Sequence, residues 1–573
     1  MKKRNILFGV FLSLFFFTNI ASADVKIRAE SGGDKPLVGY TPKVKKFLKL
    51  NGSRGETLNF LVRLQGSGNA RLKVKKFSSP KLKGKINFPV KFYELKAINL
   101  RHASFPGSPT GEYYDPLIPL NNSKKIKISG TQWFWGEIEI PVGTKPARYK
   151  TTLQFGRSAI PFNLRVWKMT MPSKPTLPMY GEISPIDVQL GHYGRYNDYK
   201  LSALDMPLYK KYIDELKKHR AYSLRSYDYA FLSNPVQHNG KKILDVFNTP
   251  DQTTSYQSIF INNIPNGVYY DFATPKYGRG GYFSDMKDLK RFKGYYQAMQ
   301  NSVEALNLSN NFPITFMWDE PFMNAWQWKK SSEYWQVMNK VQTFAQTIKS
   351  WAPSVKVVVT APCYSDLYGS VDIVASAPNY IQVGQNKGDG IREGTIADCQ
   401  KLQNKGVESW WYVSCMSHGC SEGDVADSTP DMIIERRSTF IRSIAWMQYK
   451  YKFTGFYYFN FASAYKGAEF GSDPWEDFYN FTGNGDGTLV YPGRPGERGL
   501  VADQPILSIR LKQWRETSFD AEYLKWFSQM QVKPVEISKG LDSLIKDPKH
   551  WEINYLKYSN LRKKIGDYLD KNM

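Results

Sequence analysis

Two adjacent carboxylates close the run Phe316-Met317-Trp318-Asp319-Glu320-Pro321. An apolar, strand-like stretch ends abruptly there, and a proline follows. Carboxylates at such a strand end are suited to general acid–base work on one substrate bond. A general acid needs its pKa raised towards neutrality, and an ionised Asp319 would disfavour a second negative charge on Glu320. Burial beside Trp318 would act in the same direction. Neighbouring residues of a regular strand point to opposite sides. Both side chains reach one ligand only if the strand twists or bulges at its end, which Pro321 eases. The plainer alternative is a strand-to-loop transition in which Asp319 caps a turn.

The elements that must position this pair change character along the 573 residues. Residues 24–172 read as a β-sandwich of short alternating strands, such as Leu58–Leu64, Leu72–Lys75 and Trp135–Ile140. Met171-Pro172-Ser173-Lys174-Pro175 then makes a stiff linker. Residues 176–530 alternate strands with amphipathic helices, predicting a (β/α)8 TIM-like barrel. Its strands are expected at Leu177–Tyr180, Gly267–Tyr270, Pro313–Trp318, Lys356–Thr360, Tyr380–Val383, Ser409–Val413 and Gly455–Phe459. Helical periodicity covers Leu208–His219, Asp288–Leu306, Ser332–Trp351, Thr395–Asn404, Pro430–Tyr449 and Leu507–Phe527. A small helical appendage, 531–573, closes the chain. The Asp319-Glu320 pair then lies at the C-terminal mouth of a barrel strand, where such folds bind substrate.

Residues 1–23 read as a secretory signal peptide: Lys2, Lys3 and Arg4, an apolar Ile6–Phe17 and Ala21-Ser22-Ala23. The expected location is periplasmic or secreted, without a transmembrane anchor. Cys363, Cys399, Cys415 and Cys420 form an even set that allows one or two disulfides, and three complete pairings are open. Net charge is +26. Lysines at 43–46 and 73–85 read as a solvated face, or as a surface for electrostatic contact with an anionic envelope polymer. Nucleic acid is disfavoured by export and by the lack of a binding motif. No cofactor or metal is expected: there is no phosphate-cradling loop or His-Glu-x-x-His helix. Asn484-Gly485-Asp486-Gly487 reads as a tight turn. Cys415 and Cys420 bracket His418, but no second ligand cluster accompanies them.

The wider pattern resembles glycoside hydrolase family 123 and the group of proteins sharing its catalytic domain. The resemblance runs from Glu137-Ile138-Glu139-Ile140-Pro141, Ala147-Arg148-Tyr149-Lys150 and Val166–Pro172 through His219-Arg220 and Trp318-Asp319-Glu320-Pro321. It continues at Trp410-Trp411-Tyr412-Val413, Gly455-Phe456-Tyr457-Tyr458 and Asp473-Pro474-Trp475. Gly485–Gly493 and Ser508-Ile509-Arg510-Leu511 close it. It implies a sandwich joined to a barrel and a retaining β-N-acetylgalactosaminidase. Glu320 would be the acid, and Asp319 would orient the substrate's own 2-acetamido group as nucleophile. A tyrosine bound to the acetamido oxygen is also implied, with Tyr412 and Tyr457 as candidates.

Other residues are expected around the sugar. Trp318 is expected to contact substrate, and Trp410, Trp411, Tyr412, Tyr457, Tyr458 and Trp475 could stack on its apolar faces, or be core. The phase of Trp410, Trp411 and Tyr412 is open. Arg225 could bind a hydroxyl or pair with a carboxylate. His219-Arg220 reads as a helix terminus, and His418 as a loop residue. A conventional retaining barrel would carry Asn-Glu on its fourth strand and Glu on its seventh. Here the first position is Asp319 and Ser409–Cys415 ends without a carboxylate, while Glu408 precedes it. Glu182 and Asp271 remain as second carboxylates. The rival readings are a silent carbohydrate-binding envelope protein, and a glycosidase for non-acetamido sugars with another nucleophile.

Overall fold

The computed structural model describes residues 25–573 apart from 122, 174, 184, 195–204, 224–236, 239–240, 243–289, 291–292, 294–295, 298–299, 301–313, 319, 323–330, 379–380, 382–393, 419–428, 466–472, 477 and 497–499. The expectations for residues 1–23, Arg225, Gly267–Tyr270, Asp271, Asp319 and Cys420, and for most of Asp288–Leu306, lie outside the described residues.

Period-two alternation builds two N-terminal sheets. One orders Lys26–Glu30, Thr57–Ala70, Ile126–Glu139, Val90–Leu100 and Gly111–Pro119. The other orders Leu48–Arg54, Ser158–Thr170, Ala147–Phe155, Phe77–Ser79 and Leu82–Ile86. Phe60, Phe134 and Ile138 of the first share a core with Leu48, Phe162 and Leu164 of the second. Gly136 stands opposite Phe60, and a Cβ there would come within 2.2 Å of its ring, so the close pairing requires glycine. Lys73, Lys75, Lys76, Lys81, Lys83 and Lys85 are exposed, as a solvated face requires.

The first sheet does not respect a boundary at residue 172. Gln504–Ser508 pairs with Gly111–Pro119, and Val490–Gly493 pairs with Gln504–Ser508, so strands from the 176–530 segment complete it. Helix Tyr555–Asn572 also returns to the N-terminal domain. Arg165 binds Asp567 at 2.7 Å and Asp570 at 2.9 Å, and Gly566 lets Trp167 lie against the helix.

Among the described residues the second body is a seven-stranded sheet whose pairings are all parallel. Its order is Ala221–Ser223, Met179–Gly181, Gly455–Tyr458, Glu408–Val413, Ile373–Ser376, Lys356–Thr360 and Ile314–Trp318. The first of these strands in the chain, Met179–Gly181, pairs with the last, Gly455–Tyr458. Ala221–Ser223 and Ile314–Trp318, at the two ends of this order, flank in sequence the interval 224–313, most of which lies outside the described residues. Helices Met206–Lys218, Ser331–Trp351, Ile396–Asn404, Ser438–Tyr451 and Ile509–Ser528 send Leu216, Val341, Leu402, Ile444 and Leu511 into one core. Val357, Val374, Trp411 and Phe456 of the sheet join them there. A doubly wound sheet would carry helices on both faces. Among the described residues the opposite face carries an aromatic-rich cluster instead.

Ile373–Ser376 is a strand that sequence reading did not mark, a short buried run without alternation, while the strand expected at Tyr380–Val383 lies, Ile381 apart, outside the described residues. The helix expected from Pro430 starts at Ser438, because Asp431 accepts from the Ile433 N–H and the Arg436 side chain and holds a loop first.

Candidate active site

The strand Ile314–Trp318 shifts register between Phe316 and Trp318 against Lys356–Thr360, a bulge directly before the carboxylates. Glu320 then adopts φ 47°. Left-handed backbone at a non-glycine residue costs of order 1–3 kcal/mol and is retained where its surroundings impose it. Two bonds do so here. The Glu320 N–H donates to Thr360 Oγ1 at 2.6 Å, and Tyr412 OH donates to Glu320 Oε1 at 2.9 Å. Thr360 ends the neighbouring strand. Sequence reading missed it, since a lone buried threonine gives no signal.

Alternation now has a phase. Trp410 and Tyr412 point to the face opposite the helices with Tyr180, Tyr222 and Tyr457, while Trp411 and Val413 point into the helical core. Tyr412 and Tyr457 stack at 5.3 Å and 14°, and so do Tyr180 and Trp410. Tyr457 OH donates to Glu182 Oε1 at 2.5 Å. Two carboxylates from different strand ends, Glu320 and Glu182, are thus each held by one ring of a stacked tyrosine pair. Glu182, a secondary candidate by sequence, is buried.

At the other end of these strands Glu408 accepts from Lys356 at 2.5 Å, Thr454 at 2.7 Å and Trp410 Nε1 at 3.2 Å. Burial pushes its carboxyl up, but these bonds and the Lys356 charge outweigh that and hold it below its ordinary value. Glu408 thus sits at the start of its parallel strand, whereas Glu320 follows the end of Ile314–Trp318. Gly455 makes room for Trp410, whose indole a Cβ would meet at 2.5 Å.

Several expected sugar contacts are placed elsewhere. Trp411 stacks on Phe453 at 4.0 Å among the helices, because it has the opposite phase to Tyr412. Tyr458 shares that core. Trp475 stacks on Tyr491 at 5.0 Å and donates to the Pro492 carbonyl, in a core shared with the N-terminal sheet. The strand of Trp318 is described but not its side chain. His219 is buried, donating to the Glu215 carbonyl and accepting from Lys512. Burial and the nearby cations hold it well below its ordinary pKa, so it caps its helix as a neutral ring rather than as a cation.

His418 is buried in the loop after Tyr412's strand, 3.9 Å from Asp431 and 3.7 Å from Asp486. Gly485–Gly487 forms a turn after the strand residue Asn484, with Gly485 and Gly487 at positive φ. Burial pushes Asp486 up to about 6. A carboxyl raised in the fold stabilises it below the unfolded value, about 3.9, and loses that contribution as pH rises through about 6. Asp486→Asn should therefore raise the melting temperature relative to the parent more at pH 7.5 than at pH 5. Equal shifts at both pH values would exclude this.

Cys363 and Cys399 form a disulfide that ties the loop after Thr360's strand to helix Ile396–Asn404. Cys415 is disulfide-bonded as well. Among the described residues no group of three or more His, Cys, Asp or Glu could hold a metal, and no helix is long and apolar enough to cross a membrane.

Glu320, Tyr412 and Tyr457 fall inside one matched segment, which begins at Trp318, the last residue of the bulged strand. Residues 318–527 match the family model of the glycoside hydrolase 123 catalytic domain. The resemblance to family 123 therefore holds over the segment that carries Glu320, Tyr412 and Tyr457. A solved structure, described as a family 123 glycoside hydrolase from Clostridium perfringens in a study of glycolipid glycan hydrolysis, is similar to the chain at TM-score 0.60. Identity is 12%, over 96% of this chain and 98% of that one. No curated protein matches the chain by sequence.

Tyr412→Phe keeps the stacked ring and deletes the donor to Glu320. With a lost hydrogen bond worth about 1.4 kcal/mol, near the upper end of neutral bonds, glycoside turnover should fall about tenfold. A change under twofold would show that Tyr412 does not position Glu320.

Proposed function

We propose that the protein is an exported glycoside hydrolase that releases β-linked N-acetylhexosamine, N-acetylgalactosamine foremost, from glycans with retention of configuration. The observation that carries this is Glu320, partly exposed at a bulged strand end and held by Tyr412, within the segment that matches the family 123 catalytic domain. Among the described residues, seven parallel strands with the first paired to the last, and helices packed on one face, support closure into a (β/α)8 barrel. The signal-like leader and the disulfides support export.

In this reading a sugar enters over the aromatic face of Tyr412 and Tyr457. Glu320 gives its proton to the glycosidic oxygen as the bond to the anomeric carbon breaks. The acetamido carbonyl oxygen attacks that carbon from the other side and forms an oxazolinium ion, which Asp319 orients and stabilises. Water then attacks the anomeric carbon and gives a proton to the Glu320 carboxylate, and the acetamido group is restored. Tyr457 and Arg225 are proposed as contacts to the acetamido oxygen and a hydroxyl. Trp318 is proposed to line the site.

Chromogenic β-N-acetylgalactosaminide, β-N-acetylglucosaminide and β-galactoside test it. Turnover that requires the acetamido group is expected. Comparable turnover of the plain galactoside would favour a protein nucleophile such as Glu182, and glycan binding without turnover would leave a silent lectin-like protein.

A further inference from the structure

The loop after Tyr457's strand ends in a two-residue hairpin, Tyr479-Asn480 paired with Gly483-Asn484. Its turn residues, Phe481 and Thr482, have φ 48° and 61°. Two consecutive positive φ values make the type I′ turn, for which Asn-Gly is the unstrained choice. A phenylalanine there is costly, and its ring is not buried in compensation: Phe481 is 52% exposed. The ring meets Phe459 edge-on at 5.7 Å, and Phe459 packs on the cluster of Tyr412 and Tyr457.

The hairpin is braced from three sides. His418 Nε2 bonds the Phe481 carbonyl at 3.2 Å, and Gly483 lets that ring approach. From the N-terminal domain, the His102 ring lies 5.0 Å from Tyr479, and the His102 carbonyl accepts from Asn484 at 2.7 Å. Glu435 and Ser104 also bond the Asn484 side chain. A strained turn fixed this firmly presents one aromatic face at one place, one ring beyond the tyrosines that flank the acid.

We infer that Phe481 is a platform for the second saccharide, the leaving-group sugar, and so selects oligosaccharides over simple glycosides. This rests on the proposed glycosidase reading. A rigid exposed ring buries the C–H face of a sugar at little entropic cost. It also gives the N-terminal domain a part in substrate choice, through the His102 and Ser104 loop.

The probes are a disaccharide with N-acetylgalactosamine β-linked to galactose, and methyl β-N-acetylgalactosaminide. Phe481→Ala should lower the ratio of their kcat/KM values about tenfold, and Phe481→Trp should preserve it. The double variant Phe481→Asn/Thr482→Gly removes the strain, so its melting temperature should rise while the ratio falls as in Phe481→Ala. Opposite movements of stability and selectivity exclude misfolding as the cause. A ratio unchanged in both Phe481→Ala and the double variant overturns this inference alone. No wild-type turnover of either probe overturns the glycosidase reading with it.

Discussion

Glu320→Gln is expected to lower turnover of a β-N-acetylhexosaminide with a sugar leaving group by about 10²- to 10⁴-fold, the range supplied by a general acid. The same variant should keep most of its activity on a 2,4-dinitrophenyl glycoside. A sugar alkoxide is a poor leaving group and must be protonated as the bond breaks; dinitrophenolate leaves without a proton. Glutamine retains the oxygen that accepts from Tyr412 and the N–H bonded to Thr360, so the bulged turn is preserved. Loss of equal size on both substrates would mean that Glu320 positions the sugar and does not protonate it.

The second large effect concerns folding. Helix Ile509–Ser528 is buried on nearly every side between the N-terminal sheets and the parallel sheet, although it carries many charges. Arg510 pairs with Asp115 at 2.8 Å, Lys512 and Arg515 with Glu137, and Glu522 with Arg220. Asp520 accepts from Arg442 at 2.7 Å and from Trp446 Nε1 at 3.0 Å, and Arg562 lies 3.1 Å away. Burial raises the Asp520 carboxyl above its ordinary value and Arg442 only partly offsets that, so the charge on this carboxylate depends on its cationic partners. Removing one partner of such a set leaves uncompensated buried charge and costs about 3–5 kcal/mol. Asp520→Asn should therefore lower the unfolding free energy by that amount in denaturant titrations. Asp520→Leu combined with Arg442→Met should recover most of it. A single-variant loss under about 1 kcal/mol would contradict the ion-network account.

What the sequence made legible follows from what each pattern reports. Lys356–Thr360 is a strand as read, and the helix expected over Thr395–Asn404 runs Ile396–Asn404, because β-branched runs and helical periodicity are local signals. Trp410, Trp411 and Tyr412 could be assigned to a strand but not to a face, since alternation fixes relative and not absolute phase. The pairing of Gln504–Ser508 with Gly111–Pro119 was invisible for a related reason: it joins residues nearly 400 positions apart, and hydrophobic periodicity carries no partner identity. At the site, Glu320 was marked by its motif. Thr360, Glu182 and Phe481 owe their places to tertiary neighbours, and only the strained turn at Phe481 departs from what local preference would write.

The most direct test is the structure of Glu320→Gln with an uncleaved β-N-acetylgalactosaminyl disaccharide. The account predicts the glycosidic oxygen within about 3 Å of the amide that replaces the Glu320 carboxyl, the reach of proton transfer. The acetamido group should lie under the anomeric carbon, with the sugar beside Tyr412 and Tyr457. A disaccharide bound away from that face, or with its glycosidic oxygen beyond hydrogen-bond reach of the introduced amide, would contradict it.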